Sequence, residues 1–146
     1  MDDDIQKSIN YVKKNKQIFI NHVVNQFTGT PPENPVAVFM AGTPGAGKTE
    51  VASSLIEIFA HRPVHIDADD FRSLIPGYTG ANSEIVHSAV SIAVDKSMDS
   101  VIGLNIPFIL DGTFAVGKAL MNIKRAFRHG YDTQIYFIYQ DPVEAW

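Results

Sequence analysis

The chain has 146 residues, 45% of them hydrophobic and 19% charged, with a formal net charge of −4 and no cysteine. That length suits one soluble domain with a single core, and the mild acidity disfavours a broad, sequence-independent grip on nucleic acid. The absence of cysteine excludes disulfides, thiolate catalysis and cysteine-ligated zinc or iron–sulfur sites.

The N-terminus is acidic and then mixed in charge, without an apolar leader, and no later window reaches membrane-spanning length, so the expected compartment is the cytoplasm. From Asp4 to about Phe27, Ile5, Ile9, Val12, Ile18, Ile20, Val23, Val24 and Phe27 recur at helical spacing and predict one or two amphipathic helices packed on the domain. The prolines of TGTPPENP forbid helix continuation and make that stretch a connector. VAVFMA is apolar throughout and bounded by turn residues, which predicts a strand buried on both faces of a parallel sheet. Beyond it, Lys48 to about Ala60 predicts a helix, VHID a strand, and Ser83 to about Ile102 a helix. FIL before Asp111 predicts a strand, Ala115 to His129 a helix, and TQIYFIY a strand whose Tyr136, Phe137 and Tyr139 are expected in the core. Strands alternating with helices imply an α/β fold with parallel strands and right-handed crossovers. One domain is expected over 1–146, with a helical segment over 1–30 and an α/β core over 35–146.

Gly42, Thr43, Pro44, Gly45, Ala46, Gly47, Lys48 and Thr49 match the phosphate-loop (Walker A) pattern G-x-x-x-x-G-K-[ST] in full, between a buried strand and a helix. Glycines let backbone N–H groups turn inward around phosphate oxygens, and the following helix adds the positive end of its dipole. Lys48 is expected on the β- and γ-phosphates of ATP or GTP and Thr49 on Mg²⁺, with Glu50 closing the nucleotide-binding stretch.

Two further strand ends carry acids. HIDADDFRSLIPGY places Asp67, Asp69 and Asp70 where a parallel sheet opens its ligand crevice, followed by Phe71 and Arg72. A kinase needs a carboxylate there to orient the attacking hydroxyl and accept its proton, although one of the three also suits a helix N-cap. IPFILDGTF ends its strand in Asp111, the pattern of an acid that supports Mg²⁺ in phosphate-loop enzymes. The five histidines, His22, His61, His65, His87 and His129, show no ligand-like spacing and predict no metal site of their own.

MAGTPGAGKTE, then IDADDFR with PGY, then ILDGTF after a long helix resemble in order and spacing the zeta toxin family of phosphate-loop kinases, from about Ile5 to the chain end. The resemblance implies a small-molecule kinase that moves the γ-phosphate of ATP to a sugar hydroxyl of UDP-N-acetylglucosamine, with an antitoxin as protein partner. It implies a kinase-type sheet with the phosphate-loop strand central and the strand ending in Asp111 beside it. It places the catalytic carboxylate at Asp69, with Arg72 beside it either steering phosphate or packing across Phe71 or Tyr78. It puts Thr113, Asp69, Phe71 and Asp95 toward the acceptor, and Thr49 and Asp111 toward the metal. The family's basic residue after the acid-glycine-threonine turn is absent here, where Phe114, Ala115 and Val116 stand and Lys118 is the first basic candidate. The family's phosphate-clamping arginines are expected beyond Trp146. Against the toxin kinase stand a kinase of a nucleoside, sugar acid or polynucleotide end, and a non-enzymatic nucleotide-binding module.

Overall fold

The computed structural model describes residues 2–42, 47–111 and 116–138, in which helices alternate with parallel strands. Two helices, α1 (Asp2–Lys14) and α2 (Lys16–Val24), precede β1 (Val36–Gly42). There follow α3 (Lys48–Ile58), β2 (Val64–Asp67), α4 (Ala68–Ser73), α5 (Ser83–Gly103), β3 (Phe108–Asp111), α6 (Val116–Arg128) and β4 (Asp132–Ile138). The strands form one parallel sheet in the order β2-β3-β1-β4, so the phosphate-loop strand lies inside, next to the strand that ends in Asp111.

Register decides what each face carries. Met40 stands opposite Asp111, and Asp111 opposite Asp67. Partners in register point to the same side and side chains alternate along a strand, so His65, Asp67, Ile109, Asp111, Val38 and Met40 share one face. Val64, Ile66, Phe108, Leu110, Ala37 and Phe39 share the other. α3 closes the first face, with Ala52 and Leu55 against Val36, Val38, Met40 and Ile109. The second face carries the larger core, in which Phe19, Phe71, Val90 and Met98 pack with Phe39, Phe108 and Leu110. Right-handed crossovers explain the division: the step from β1 to β2 runs one way across the sheet, and the steps from β2 to β3 and β3 to β4 run back. The helices of the return steps therefore lie on the opposite side from α3.

Helix α5 is the centre of the larger core. Val86, Ala89, Val90, Ala93, Val94, Ser97, Met98, Val101 and Ile102 are all buried along it, at alternating spacings of three and one that form one stripe winding slowly around the helix over its 21 residues. Such a helix needs cover on more than one side, and α1 and α2 provide it. After α5 the chain turns through Asn105, whose φ of 59° is left-handed. The buried Tyr131 hydroxyl braces that turn, sharing its proton between the carbonyls of Val101 at 2.9 Å and Ile106 at 2.8 Å.

The outer edge of β2 is closed by a side chain. The Gln26 amide accepts from the His65 N–H at 2.8 Å and donates to the His65 carbonyl at 3.1 Å, taking the place of a neighbouring strand. β4 corrects one expectation. Phe137 is 69% exposed and Ile135 62%, not in the core, because β4 is the last strand of the described sheet and α6 covers it only in part. Tyr139 and Trp146 lie outside the described residues. Among the described residues, no helix is long and apolar enough to cross a membrane.

Candidate active site

The carboxyl ends of β1, β2 and β3 stand side by side, and Gly42, Asp67 and Asp111 of the sequence-predicted site are the residues that end them. β1 ends at Gly42, where a Cβ would meet the Ile138 carbonyl oxygen at 2.6 Å, so glycine is what allows β4 to pair this far along. Gly47 takes a left-handed φ of 88° as the N-cap of α3, a conformation that favours glycine. Lys48, half-buried, and Thr49, exposed, then open the helix, with exposed Glu50 in the same first turn. The first N–H groups of α3 have no partners within the helix and, with its dipole, make this end attractive to anions. Thr43, Pro44, Gly45 and Ala46 lie outside the described residues, as does Thr113.

The three acids after β2 take three different roles. Asp67 caps α4, its Oδ1 accepting the Asp69 N–H at 3.0 Å. Asp69, in the first turn, is 75% exposed and forms an ion pair with Arg72 one turn on. Asp70 lies 3.6 Å from His22 Nε2 of α2. Arg72 thus meets the carboxylate, not the ring of Phe71 or Tyr78. Phe71 is fully buried and stands edge-on to Phe19 with ring centroids 5.5 Å apart. It belongs to the core and holds α4 in place from below; it presents no surface to an acceptor.

One residue joins this group that the sequence reading set aside. His65 precedes Asp67 by two positions on β2, so both face Asp111, and one ligand atom of each lies within 4.8 Å of the others. The His65 Nε2 to Asp111 Oδ2 distance is 3.6 Å, and the Asp111 side chain is only 8% exposed. Burial lowers the His65 pKa, but the Asp111 carboxylate beside it and the charge of Asp67 outweigh that and hold it above its ordinary value. Burial likewise pushes the Asp67 carboxyl up, against the pull of the Asp69 amide and His65. Two carboxylates and an imidazole converging beside a phosphate-loop helix are a donor set that suits a divalent cation. The legible signal was the alternation of VHID itself, which puts His65 and Asp67 on one face; spacing among histidines alone does not reveal it.

A groove of about 800 Å³ runs between α5 and α6. Asp95, half-way along α5, faces it and pairs with Lys118 Nζ at 3.3 Å, and Lys118 also donates to the Ser91 hydroxyl. Arg125 lines the groove further along, paired with Asp99. Asn122 is 4% exposed, and its side-chain nitrogen has no hydrogen-bond partner. Lys118 lies in the first turn of α6, the helix that follows β3, so the groove starts at the carboxyl edge of the sheet.

A family model for zeta toxin matches residues 21–146. The chain belongs to the zeta toxin family. A solved structure from the PezAT chromosomal toxin–antitoxin system of Streptococcus pneumoniae superposes on this zeta toxin chain with a TM-score of 0.74 at 22% identity, over 99% of this chain and 60% of that one. A second, from a Pnkp1/Rnl/Hen1 complex, gives 0.57 at 20% identity, over 81% of this chain and 40% of that one. These likenesses show the fold, and the present chain spans less than two thirds of either neighbour. No curated protein sequence matches it. The zeta toxin family is kinase-like.

Proposed function

We propose that the protein is a toxin kinase that moves the γ-phosphate of ATP to a hydroxyl of a UDP-amino sugar, with UDP-N-acetylglucosamine as acceptor. The observation that supports this most is the meeting of the Lys48 end of α3 with the acidic ends of β2 and β3 at one edge of the sheet. In this reading the Gly42–Thr49 loop and Lys48 hold the phosphates. Thr49 and Asp111 would hold magnesium, which would supply positive charge to offset the negative charge that develops on the transferring phosphate.

Asp69 orients the acceptor hydroxyl and takes its proton as that oxygen bonds to the γ-phosphorus and the bond to ADP breaks. Arg72, held on Asp69 by the ion pair, brings a positive charge to the transferring group. The groove between α5 and α6 would receive the acceptor, with Lys118 in the place of the basic residue that its loop lacks and Asp95 beside it. Thr113 would contact the sugar. An antitoxin is the proposed protein partner, seated on the N-terminal helices or over the nucleotide cleft.

The test is transfer of label from [γ-³²P]ATP with Mg²⁺ to UDP-N-acetylglucosamine. The wild type should produce a labelled sugar nucleotide, and Asp69→Asn should lower the rate by roughly 10²–10⁴-fold while ATP binding persists. Labelling of a nucleoside or a polynucleotide 5′ end instead would move the acceptor elsewhere, and ATP binding with no acceptor labelled would leave a nucleotide-binding module.

A further inference from the structure

His65 has no part in the reaction above, yet its imidazole sits where the ends of β2 and β3 meet. Its Nε2 is wholly buried and makes no hydrogen bond. The nearest carboxylate oxygen, of Asp111, lies at 3.6 Å, too far for one. Asp111 is itself nearly buried, and among the described residues no lysine or arginine pairs with Asp67 or Asp111. A buried polar nitrogen without a hydrogen-bond partner, beside one buried and one half-buried acid that neither lysine nor arginine neutralises, is costly unless something else satisfies it.

We propose that His65, Asp67 and Asp111 together bind one first-row transition-metal dication, of which Mn²⁺ is the probe, in preference to Mg²⁺. The inference rests on the assignment of Asp111 to the cation of the phosphate site and adds a nitrogen donor to it. Mg²⁺ takes oxygen ligands, whereas Mn²⁺ accepts an imidazole nitrogen beside carboxylates and the later divalent metals favour one still more. Asp67 spends one oxygen on the cap of α4, which leaves the other for the ion and fixes the carboxylate's orientation. The three ligand atoms already lie within 4.8 Å of one another. Bonds of about 2.1 Å to a common ion require roughly 3–3.5 Å between them, a closure within reach of side-chain rotation. Gln26 grips both backbone groups of His65, so the strand that carries the nitrogen donor is held from its outer edge.

The experiment uses the nucleotide-free chain. Mn²⁺ is titrated by electron paramagnetic resonance, with Mg²⁺ as competitor, and the imidazole protons of the five histidines are followed by NMR. One Mn²⁺ should bind, more tightly than Mg²⁺, and paramagnetic broadening should reach His65 before the other histidines. His65→Gln should lower Mn²⁺ affinity by roughly ten- to a hundredfold and leave the weaker Mg²⁺ affinity nearly unchanged. Absence of Mn²⁺ binding, or binding that leaves the His65 signal as sharp as the rest, overturns the proposal; the second readout needs no variant to fold. ATP affinity measured without any divalent ion tests the phosphate loop separately, so a failed metal site and a failed nucleotide site give different results.

Discussion

Tyr131 shows how one side chain can govern a turn that the site depends on. Its hydroxyl spans the carbonyls of Val101 and Ile106, closing the connection that delivers β3, and hence Asp111, to the sheet. Tyr131→Phe removes the donor and leaves both carbonyls buried, which should cost about 1–3 kcal/mol, read as a lower urea midpoint. Burial raises the Tyr131 pKa well above its ordinary value. Because the folded pKa is the higher one, this group's contribution to stability is complete below the unfolded value near 10 and is lost as pH rises from there through the folded value. Urea unfolding between neutral and strongly alkaline pH should therefore show a steeper alkaline loss for the wild type than for Tyr131→Phe. Equal slopes would mean that the hydroxyl is not held as described. At this scale the sequence was legible where a feature is local: one of Asp67, Asp69 and Asp70 was expected as a helix N-cap, and Asp67 fills that role. The sequence was opaque where partners come from different strands. His65 gains its meaning from Asp111 across the sheet, and Phe71 proved a core ring because Phe19, far away in sequence, lies against it.

Among the elements, β1 and β4 make the sharpest demand on a residue type. The Ile138 carbonyl oxygen stands where a Cβ at Gly42 would be, at 2.6 Å, and it is backbone, so nothing short of a strand shift relieves the contact. Gly42→Ala should lower stability by about 1–3 kcal/mol and shift the thermal midpoint down, even though alanine is the smallest available change. An unaltered midpoint would contradict the β1–β4 register. The strands and long helices were legible because their apolar runs and 3.6-residue spacing are local properties. The burial of β4 was not. TQIYFIY has the composition of a core strand, but exposure is set by the sheet order and by how far α6 reaches, neither of which a single segment encodes.

For the whole molecule, the sheet divides the interior in two: a small core under α3 and a large one around α5, to which the N-terminal helices contribute Val12, Phe19 and Val23. The alternation of strand and helix predicted this α/β plan, and the zeta toxin match agrees with it. What the pattern did not show is that α2 reaches the site. Phe19 of α2 seats Phe71, and Phe71 anchors the helix whose opposite side carries Asp69. Phe19→Ala should cost about 3–5 kcal/mol and lower the thermal midpoint accordingly; a loss under about 1 kcal/mol would show that the helical segment is not part of the core.

The proposed function depends most on the binding of nucleotide phosphates where the chain passes from β1 to α3, at the acidic edge of the sheet. Calorimetric titration of ATP into the wild type and Lys48→Ala tests it most directly. The wild type should bind ATP at a single site, and Lys48→Ala should lose at least roughly tenfold in affinity, the cost of removing one charge-assisted contact to phosphate. Equal ATP affinity in the two proteins, or none in a folded wild type, would contradict it.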